Sequence, residues 1–401
     1  MCAKKSSSAD EKIREKALKV IRKTFEEKLN RDKKGEYVLP DGALPVEEIS
    51  PKEAYQRILE ISKGIYDLIL QTGRPYLDVP SRSASNIIYD EENDLLLLGE
   101  DKFSHKIFHS LASVEDLTRL IRVMEVVHEL LGKGKHSTKR ELFYTDVNLF
   151  KQQTNSDNCI EDLSTLLHTV RNSTNIIASP EGQAVGRLRV KDKNNFINLE
   201  EMGSGSWSIT PMLDSLEIVE SDAEFILVLE KKAAMNRFVE EEWWKKYPCI
   251  IISGKGVGDV ATRSFLRRLE KELNLPIFCL VDSDPYGHYI YSVYIRGSKK
   301  LSYESPFLAT PGMHLLGVLT RDLDKYKIPK SVRIPMTKTD IKRCKEMLDE
   351  EFIKSNKKWY DDLKLMLERK EKAEIQGFAA HGFEYLTDEY LPSKLSTGDW
   401  I

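Results

Sequence analysis

Beyond residue 220 the apolar positions gather into short continuous runs, 225–229, 249–253 and 277–281, separated by stretches whose apolar residues recur every three to four positions. Runs of that length predict buried strands, and the stretches at 232–246, 259–273 and 286–297 predict helices. Strand alternating with helix argues for a parallel sheet with right-handed crossovers. A further strand is expected at 315–319, and helices near 337–355 and 359–376 complete the domain.

Upstream the pattern changes. Ser50, Pro51 and Glu53 supply a cap, a first-turn proline and a capping box, so a helix is expected to run to about Gln71. Residues 86–89 and 95–98 predict a hairpin. Three short helices follow. The first starts at Ser113, carries Leu117, Leu120, Ile121, Met124, Val127 and Leu131 on one face, and stops at Gly132 and Gly134. The second starts at Thr138, with Glu141 closing another capping box. The third carries Leu163, Leu166, Leu167 and Val170 after a polar loop at 152–158. A second hairpin is expected from 175–178 and 184–190. Three helices and then a hairpin is the order of a winged helix, whose third helix commonly enters the DNA major groove. Residues 10–29 hold Ile13, Ala17, Val20, Ile21, Phe25 and Leu29 near helical spacing and are read as a solvated arm rather than a docked helix. Residues 30–50, with Pro40, Gly42 and Pro45, read as a linker.

Composition narrows the classes. With 401 residues the chain can form two domains plus extensions. Its 61 basic and 64 acidic residues leave a formal net charge of −3, so overall charge neither demands nor excludes nucleic acid. No apolar run approaches the roughly 20 residues of a membrane helix, and the N-terminus lacks the apolar core of a secretion signal. The cysteines are scattered without a CxxC pair, which fits a reducing compartment and no zinc site.

Candidate chemistry sits where apolar runs end. The run 277–281 passes straight into Asp282-Ser-Asp284-Pro-Tyr-Gly287, and 225–229 into Glu230. Residues i and i+2 leave a strand on the same side, and the carboxyl edge of a parallel sheet is where such folds bind ligands. Three carboxylates there suit Mg²⁺. Caps or salt bridges, for instance Glu230 with Lys231 and Lys232, account for them too. Gly254-Lys255-Gly-Val-Gly258 can bring backbone amides and Lys255 to a phosphate, but it lacks Walker A spacing, and no ATP site is recognisable. On the second short helix Phe143, Val147 and Phe150 share a core face, while Arg140, Tyr144 and Asn148 share a polar one. Spacing leaves two readings open: a surface tyrosine stacked on arginine, or a nucleophile whose target phosphate Arg140 holds. A phenol, of pKa about 10 in water, needs a base or a metal-polarised phosphate before it attacks. His105, His109, His128 and His136 fit no ligand spacing.

Ser137-Thr-Lys-Arg-Glu-Leu-Phe-Tyr144, the Glu230 strand end and Asp282-Ser-Asp-Pro-Tyr-Gly287 together make the chain resemble the A subunit of DNA topoisomerase VI, in a family that includes the meiotic double-strand-break transesterases. Pro80-Ser-Arg-Ser-Ala-Ser-Asn-Ile-Ile-Tyr89, Ser253-Gly-Lys-Gly256, Thr337-Lys-Thr-Asp-Ile341, Lys372-Ala-Glu-Ile-Gln376 and Gly398-Asp-Trp-Ile401 extend the resemblance, in the family's order, from about residue 55 to the end. It implies a multidomain α/β (α+β) fold. A charged extension and linker would cover 1–50, a CAP-like winged-helix domain 51–215, and a Toprim domain with a parallel sheet 216–401. It further implies that Tyr144 forms a 5′-phosphotyrosyl bond, that Glu230, Asp282 and Asp284 hold Mg²⁺, and that Arg140 supports the phosphate. Many members carry two adjacent tyrosines where this chain has Phe143-Tyr144, which leaves Tyr144 to attack.

In the family two copies pair, the tyrosine and the acids of one site coming from different protomers. The pair forms an A₂B₂ assembly with a separate GHKL-type ATPase B subunit, through which alone ATP enters. Expected contacts to duplex DNA are Arg140, Lys151, Arg187, Arg189, Lys191 and Lys255, mostly to phosphates. The expected setting is the cytoplasm, on the nucleoid, or the nucleus in a eukaryote, without a membrane. A match that ends at Gly398-Asp-Trp-Ile401 without further domains suits a protein of the archaeal type. The alternatives are a break-making transesterase of the same family, a Toprim primase or metal nuclease in which Tyr144 is dispensable, and a non-catalytic DNA-binding module.

Overall fold

The structure, a computed structural model, describes residues 8–31 and 37–401. Its contacts divide the chain into two compact units, one of residues 37–179 with 297–308, the other of the N-terminal helix with 180–296 and 309–401. That helix, α1 (Ser8–Arg31), belongs to the second unit and is described with it.

In the first unit α2 (Pro51–Thr72) is capped by Ser50, whose hydroxyl accepts the Glu53 N–H at 3.2 Å. The Glu53 carboxylate pairs with Arg57 instead of closing the box. Strands β1 (Tyr76–Pro80), β2 (Ile87–Asp90), β3 (Leu95–Leu98) and β4 (Phe103–Ile107) form two antiparallel pairs, β1 with β4 and β2 with β3. The expected first hairpin is therefore present. Helix α3 (Val114–Lys133) ends on left-handed Gly134 and buries Leu117, Leu120, Met124 and Val127, while Ile121 stays exposed. Then come β5 (Ser137–Thr138), α4 (Lys139–Thr145), α5 (Val147–Phe150), α6 (Gln153–Leu166) and β6 (Ile176–Ile177). Leu120, Val123, Val127, Leu142, Phe150, Ile160 and Leu163 form the core of this helical group.

Three sequence expectations for this unit are corrected. Residues 153–158 are the first turns of α6, not loop, because Ser156 and Cys159 are buried and their backbone is satisfied by the helix. The second hairpin does not form: β6 pairs in parallel with β5, and the residues after the Pro180 turn join the other unit's sheet. Nor are residues 37–50 a free linker. Leu44 N–H donates to the Leu98 carbonyl at 2.7 Å, Glu47 N–H to that of His168 at 3.1 Å, and Leu44 and Ile49 are buried.

The second unit is built on strands β7 (Gln183–Gly186), β8 (Arg189–Asp192), β9 (Asn195–Asn198), β10 (Trp207–Ser208), β11 (Leu216–Glu220), β12 (Phe225–Leu229), β13 (Cys249–Ser253), β14 (Ile277–Leu280) and β15 (Met313–Gly317). Between the later strands lie α7 (Lys232–Glu240), α8 (Val260–Leu273) and α9 (Pro285–Arg296), and α10 (Ser305–Leu308) sits on the segment that returns to the first unit. Beyond β15 come α11 (Asp322–Lys325), α12 (Lys338–Leu348), α13 (Glu351–Ser355), α14 (Lys357–Arg369) and α15 (Leu391–Thr397). The main sheet has the order β10-β7-β13-β12-β14-β15. Strands β13, β12, β14 and β15 are parallel, as the alternating pattern predicts; β7 pairs antiparallel with β13, and β10 antiparallel with β7. All five β12 residues are fully buried, the mark of a strand covered on both faces. A separate three-stranded sheet runs β11-β8-β9.

Helix α1 overturns the solvated-arm reading. Ala17, Ile21, Thr24 and Lys28 make a buried stripe, and the helix lies against α15. Arg22 forks onto Glu224 at 2.8 and 2.6 Å, and the Lys28 ammonium reaches the Leu275 carbonyl at 3.0 Å. The stripe is thin in apolar residues because a lysine stem completes it, so its amphipathic signal is weak. Among the described residues no helix is long and apolar enough to cross a membrane.

Candidate active site

The candidate nucleophile rests on a short, firmly started helix. Thr138 accepts the Glu141 N–H at 3.2 Å and the Glu141 carboxylate accepts the Thr138 N–H at 2.7 Å, a complete capping box. Leu142 is fully buried and fixes the rotation of α4. Tyr144 is then 61% exposed, and Arg140, one turn earlier, is exposed as well. Neither the phenol nor the guanidinium makes a hydrogen bond or ion pair among the described residues.

The continuous stripe Phe143, Val147 and Phe150 is corrected. Asp146 leaves the helical region at φ −156°, ends α4, and caps α5 by accepting the Leu149 N–H at 3.1 Å. The break re-aims the second turn, so Phe150 is buried while Val147 is 42% exposed.

At the start of α4, Lys139 donates to Glu161, a fully buried carboxylate on α6. Tyr303 donates to the same carboxylate, and Arg171 Nη1 lies 3.8 Å from it. Burial by itself would raise the Glu161 pKa; Lys139 and Arg171 hold it below the ordinary carboxylate range. The helix that bears Tyr144 is thus tied to α6 through a buried charge network.

The three candidate metal acids lie at the carboxyl edge of the second unit's sheet. Paired β12 and β14 end level with each other, Leu229 opposite Leu280, which brings Glu230 beside Asp282. The Asp282 N–H donates to Glu230 Oε2 at 2.8 Å, and the Gly256 N–H donates to the Glu230 carbonyl at 2.8 Å. Asp282 accepts the Ile375 N–H at 2.9 Å and lies 2.5 Å from the Lys231 ammonium. Asp284 accepts the Gly287 N–H at 2.7 Å. Gly287 is required here, since a Cβ would stand 2.3 Å from the Asp282 carbonyl oxygen. Burial, then the neighbouring charges of Asp282 and Asp284, push Glu230 up to about 7. Burial also raises Asp282, against the pull of Lys231.

Among the described residues no three Asp, Glu, His or Cys side chains already stand as a ligand cage. Lys231 is the cation on Asp282. The donors nevertheless suit a hard divalent ion: oxygen ligands only, partly buried, and crowded enough that carboxylate repulsion raises Glu230.

The other expected DNA contacts are tied to acids. Lys151 pairs with Glu115 at 2.9 Å, Arg187 with Asp222 at 2.8 Å, Arg189 with Glu220 at 2.6 Å, Lys191 with Glu217 at 3.1 Å and Lys255 with Glu181 at 3.2 Å. Arg187, Arg189 and Lys191 lie in or beside the β11-β8-β9 sheet of the second unit.

Family models match both groups of residues. The model for the Toprim domain of the topoisomerase 6 A subunit/Spo11 family covers residues 225–395, and the model for type IIB DNA topoisomerase covers 115–176. The chain is 48% identical to the DNA topoisomerase 6 A subunit of Arabidopsis thaliana over 85% of its own length and 81% of that protein. The chain belongs to the topoisomerase 6 A subunit/Spo11 family. Archaeal relatives agree: the type 2 DNA topoisomerase 6 A subunit of Aeropyrum pernix is 34% identical over 88% of this chain and 95% of that protein, and that of Pyrococcus abyssi 32% over 88% and 97%.

Within this topoisomerase 6 family, then, the Toprim match takes in Glu230, Asp282 and Asp284, and the type IIB match takes in Arg140 and Tyr144. Sequence reasoning missed Lys139, Glu161, Arg171 and Tyr303, and the Lys231 contact to Asp282. Glu161 left a signal: it is an acid one residue from Ile160 and two from Leu163, on a helix otherwise read as apolar-faced.

Proposed function

We propose that this chain is the DNA-cleaving A subunit of a type IIB topoisomerase that makes transient double-strand breaks. The observation that carries the proposal is Tyr144: an exposed, unbonded phenol on a capped helix, with a free guanidinium one turn away, inside the segment that matches the type IIB family.

Tyr144 Oη attacks the phosphorus of a backbone phosphodiester. An O–P bond to tyrosine forms as the bond to the 3′ oxygen breaks, and in balance the phenol proton becomes that of the 3′-hydroxyl. One phosphodiester replaces another, so the reverse attack reseals the strand without ATP for the chemistry. Arg140 holds the nonbridging oxygens by charge-assisted hydrogen bonds. Glu230, Asp282 and Asp284 are the residues to hold Mg²⁺, which when bound supplies charge neutralisation at the phosphate or the leaving oxygen.

One tyrosine cuts one strand, so a double-strand break takes two copies, as a symmetric homodimer. A GHKL-type B subunit supplies ATP hydrolysis and strand passage in an A₂B₂ assembly that relaxes or decatenates DNA in the nucleoid or nucleus.

The test mixes this chain with a B subunit, duplex DNA, Mg²⁺ and ATP, then denatures and looks for protein bound to 5′ ends. An adduct that disappears with Tyr144→Phe is the expected result, accompanied by supercoil relaxation. Adduct without relaxation would favour a break-making transesterase. Free ends without adduct, indifferent to Tyr144→Phe, would refute the proposal in favour of a metal nuclease.

A further inference from the structure

Five of the six cations expected to meet DNA are paired with neighbouring carboxylates. On the tyrosine-bearing unit a groove of about 660 Å³ is lined by Arg82, Lys106, Lys299 and Lys300, with Asp116 and Asp162 as its acids. Four positive side chains against two negative ones leave it net cationic, and Asp116 is already paired with Arg119 at 3.1 Å.

The groove is built rather than accidental. Asp162 Oδ1 accepts from Arg82 Nε at 3.0 Å and from Nη2 at 2.7 Å, and its Oδ2 lies 3.0 Å from the Lys106 ammonium. One carboxylate thus holds two cations in place, and Arg82 Nη2 also donates to the Asn158 carbonyl at 3.0 Å. Both basic side chains are nearly buried, 12% and 11% exposed, so their rotamers are set before any ligand arrives. Arg82 Nη1 bonds nothing among the described residues, and neither does the Lys300 ammonium. The segment 297–308 leaves the second unit's chain and delivers Lys299 and Lys300 to this groove.

A net-positive, polar groove with a spare guanidinium nitrogen and a spare ammonium matches a phosphate group. Its floor is α6, the third helix of the triplet, which contributes Asn155, Asn158 and Asp162. In a winged helix the third helix commonly enters the DNA major groove. We propose that this groove grips a backbone phosphate of duplex DNA, separate from the phosphate that Tyr144 attacks. The inference rests on the DNA-cleaving reading for its source of phosphate.

The test is equilibrium binding of the full chain to labelled duplex with Mg²⁺ chelated, over a range of salt concentrations. Wild type is compared with the double variant Lys299→Ala/Lys300→Ala and with a charge-matched control, Lys357→Ala/Lys358→Ala. Loss of one phosphate contact is expected to make the slope of log affinity against log salt shallower by about 1 and to weaken binding several-fold near 0.1 M salt, roughly the value for one released counterion. The control should keep the wild-type slope. An unchanged slope in the groove variant, or equal changes in both variants, would overturn the proposal. Inorganic phosphate at constant ionic strength is the second arm: competition lost in the groove variant with an unchanged DNA slope would assign the groove to free phosphate instead. Adduct formation at saturating DNA separates the two readings. Wild type forming no adduct sinks the cleavage reading, whereas the groove stands or falls on the slope.

Discussion

The buried network behind α4 yields the most quantitative expectation, for Glu161→Gln. The substitution keeps the shape and an acceptor for Tyr303 but removes the carboxylate charge facing Lys139 and Arg171. Removing one partner of a buried ion pair costs about 3–5 kcal/mol, because the remaining charge stays out of water. Lys139 is 20% exposed and can swing toward solvent, but Arg171 is too buried to follow. The lower end, roughly 3 kcal/mol, is therefore expected, or a fall in Tm of roughly 6–12 °C for a unit of this size. All five tryptophans, Trp207, Trp243, Trp244, Trp359 and Trp400, lie in the other unit. Tryptophan emission thus follows that unit, while far-UV dichroism follows both, and the shift belongs to the dichroism. The sign of the pH dependence follows from the lowered Glu161 pKa. Its contribution is complete above the unfolded glutamate value of about 4.3 and is lost as pH falls through the folded value, so wild type and variant converge in acid. Adding Lys139→Met should restore part of the loss, with a coupling of about 1–3 kcal/mol. A Tm change under roughly 2 °C, or a gap that fails to narrow in acid, would show that the network carries no such energy.

Other perturbations separate position from chemistry. Gly287→Ala forces a Cβ to within 2.3 Å of the Asp282 carbonyl. A cost of about 1–3 kcal/mol and loss of the covalent adduct are expected, read by denaturant titration and gel. Arg140→Ala should lower adduct yield at least tenfold with duplex saturating, while Lys151→Ala, whose ammonium is already on Glu115, should leave yield within about twofold. For α1, Ile21→Asp puts a charge into a fully buried position and should expose the helix to limited proteolysis. Arg22→Ala removes an exposed fork to Glu224 and should cost under about 1 kcal/mol, leaving the digestion pattern unchanged.

The parallel sheet was legible because its strands are buried on both faces and so read as unbroken apolar runs bounded by turns. The capping box at Thr138 was legible because both partners lie within one turn. Much of what failed shares a physical cause: the decisive partner was distant in sequence. Residues 184–190 look like half of a hairpin, yet β7 pairs with β13, more than sixty residues on, and no local residue announces that choice. Helix α1 reads as a charged arm because its buried face includes Lys28, whose partners Glu270 and Leu275 lie 242 and 247 residues on. The break at Asp146 is a small polar residue competing for backbone N–H groups, a signal present in the sequence but outweighed by an apparent i, i+4, i+7 stripe.

The site divides along the same line. Tyr144, Arg140 and the three acids could be singled out because each sits at a local boundary, a strand end or a capped helix, where side-chain direction follows from backbone geometry. The pairing of the cations could not be read the same way, since which carboxylate a lysine faces depends on the fold. Arg189 and Lys191 reach acids on the adjoining strand β11, Lys151 reaches back to α3, and Lys255 reaches across to Glu181, four pairings that no spacing rule foretells. A lysine so paired offers a passing phosphate little net field, whereas Arg140 keeps its guanidinium unpaired one turn from the exposed phenol. Of the six cations singled out in the sequence, the one left unpaired among the described residues is Arg140, one turn from Tyr144.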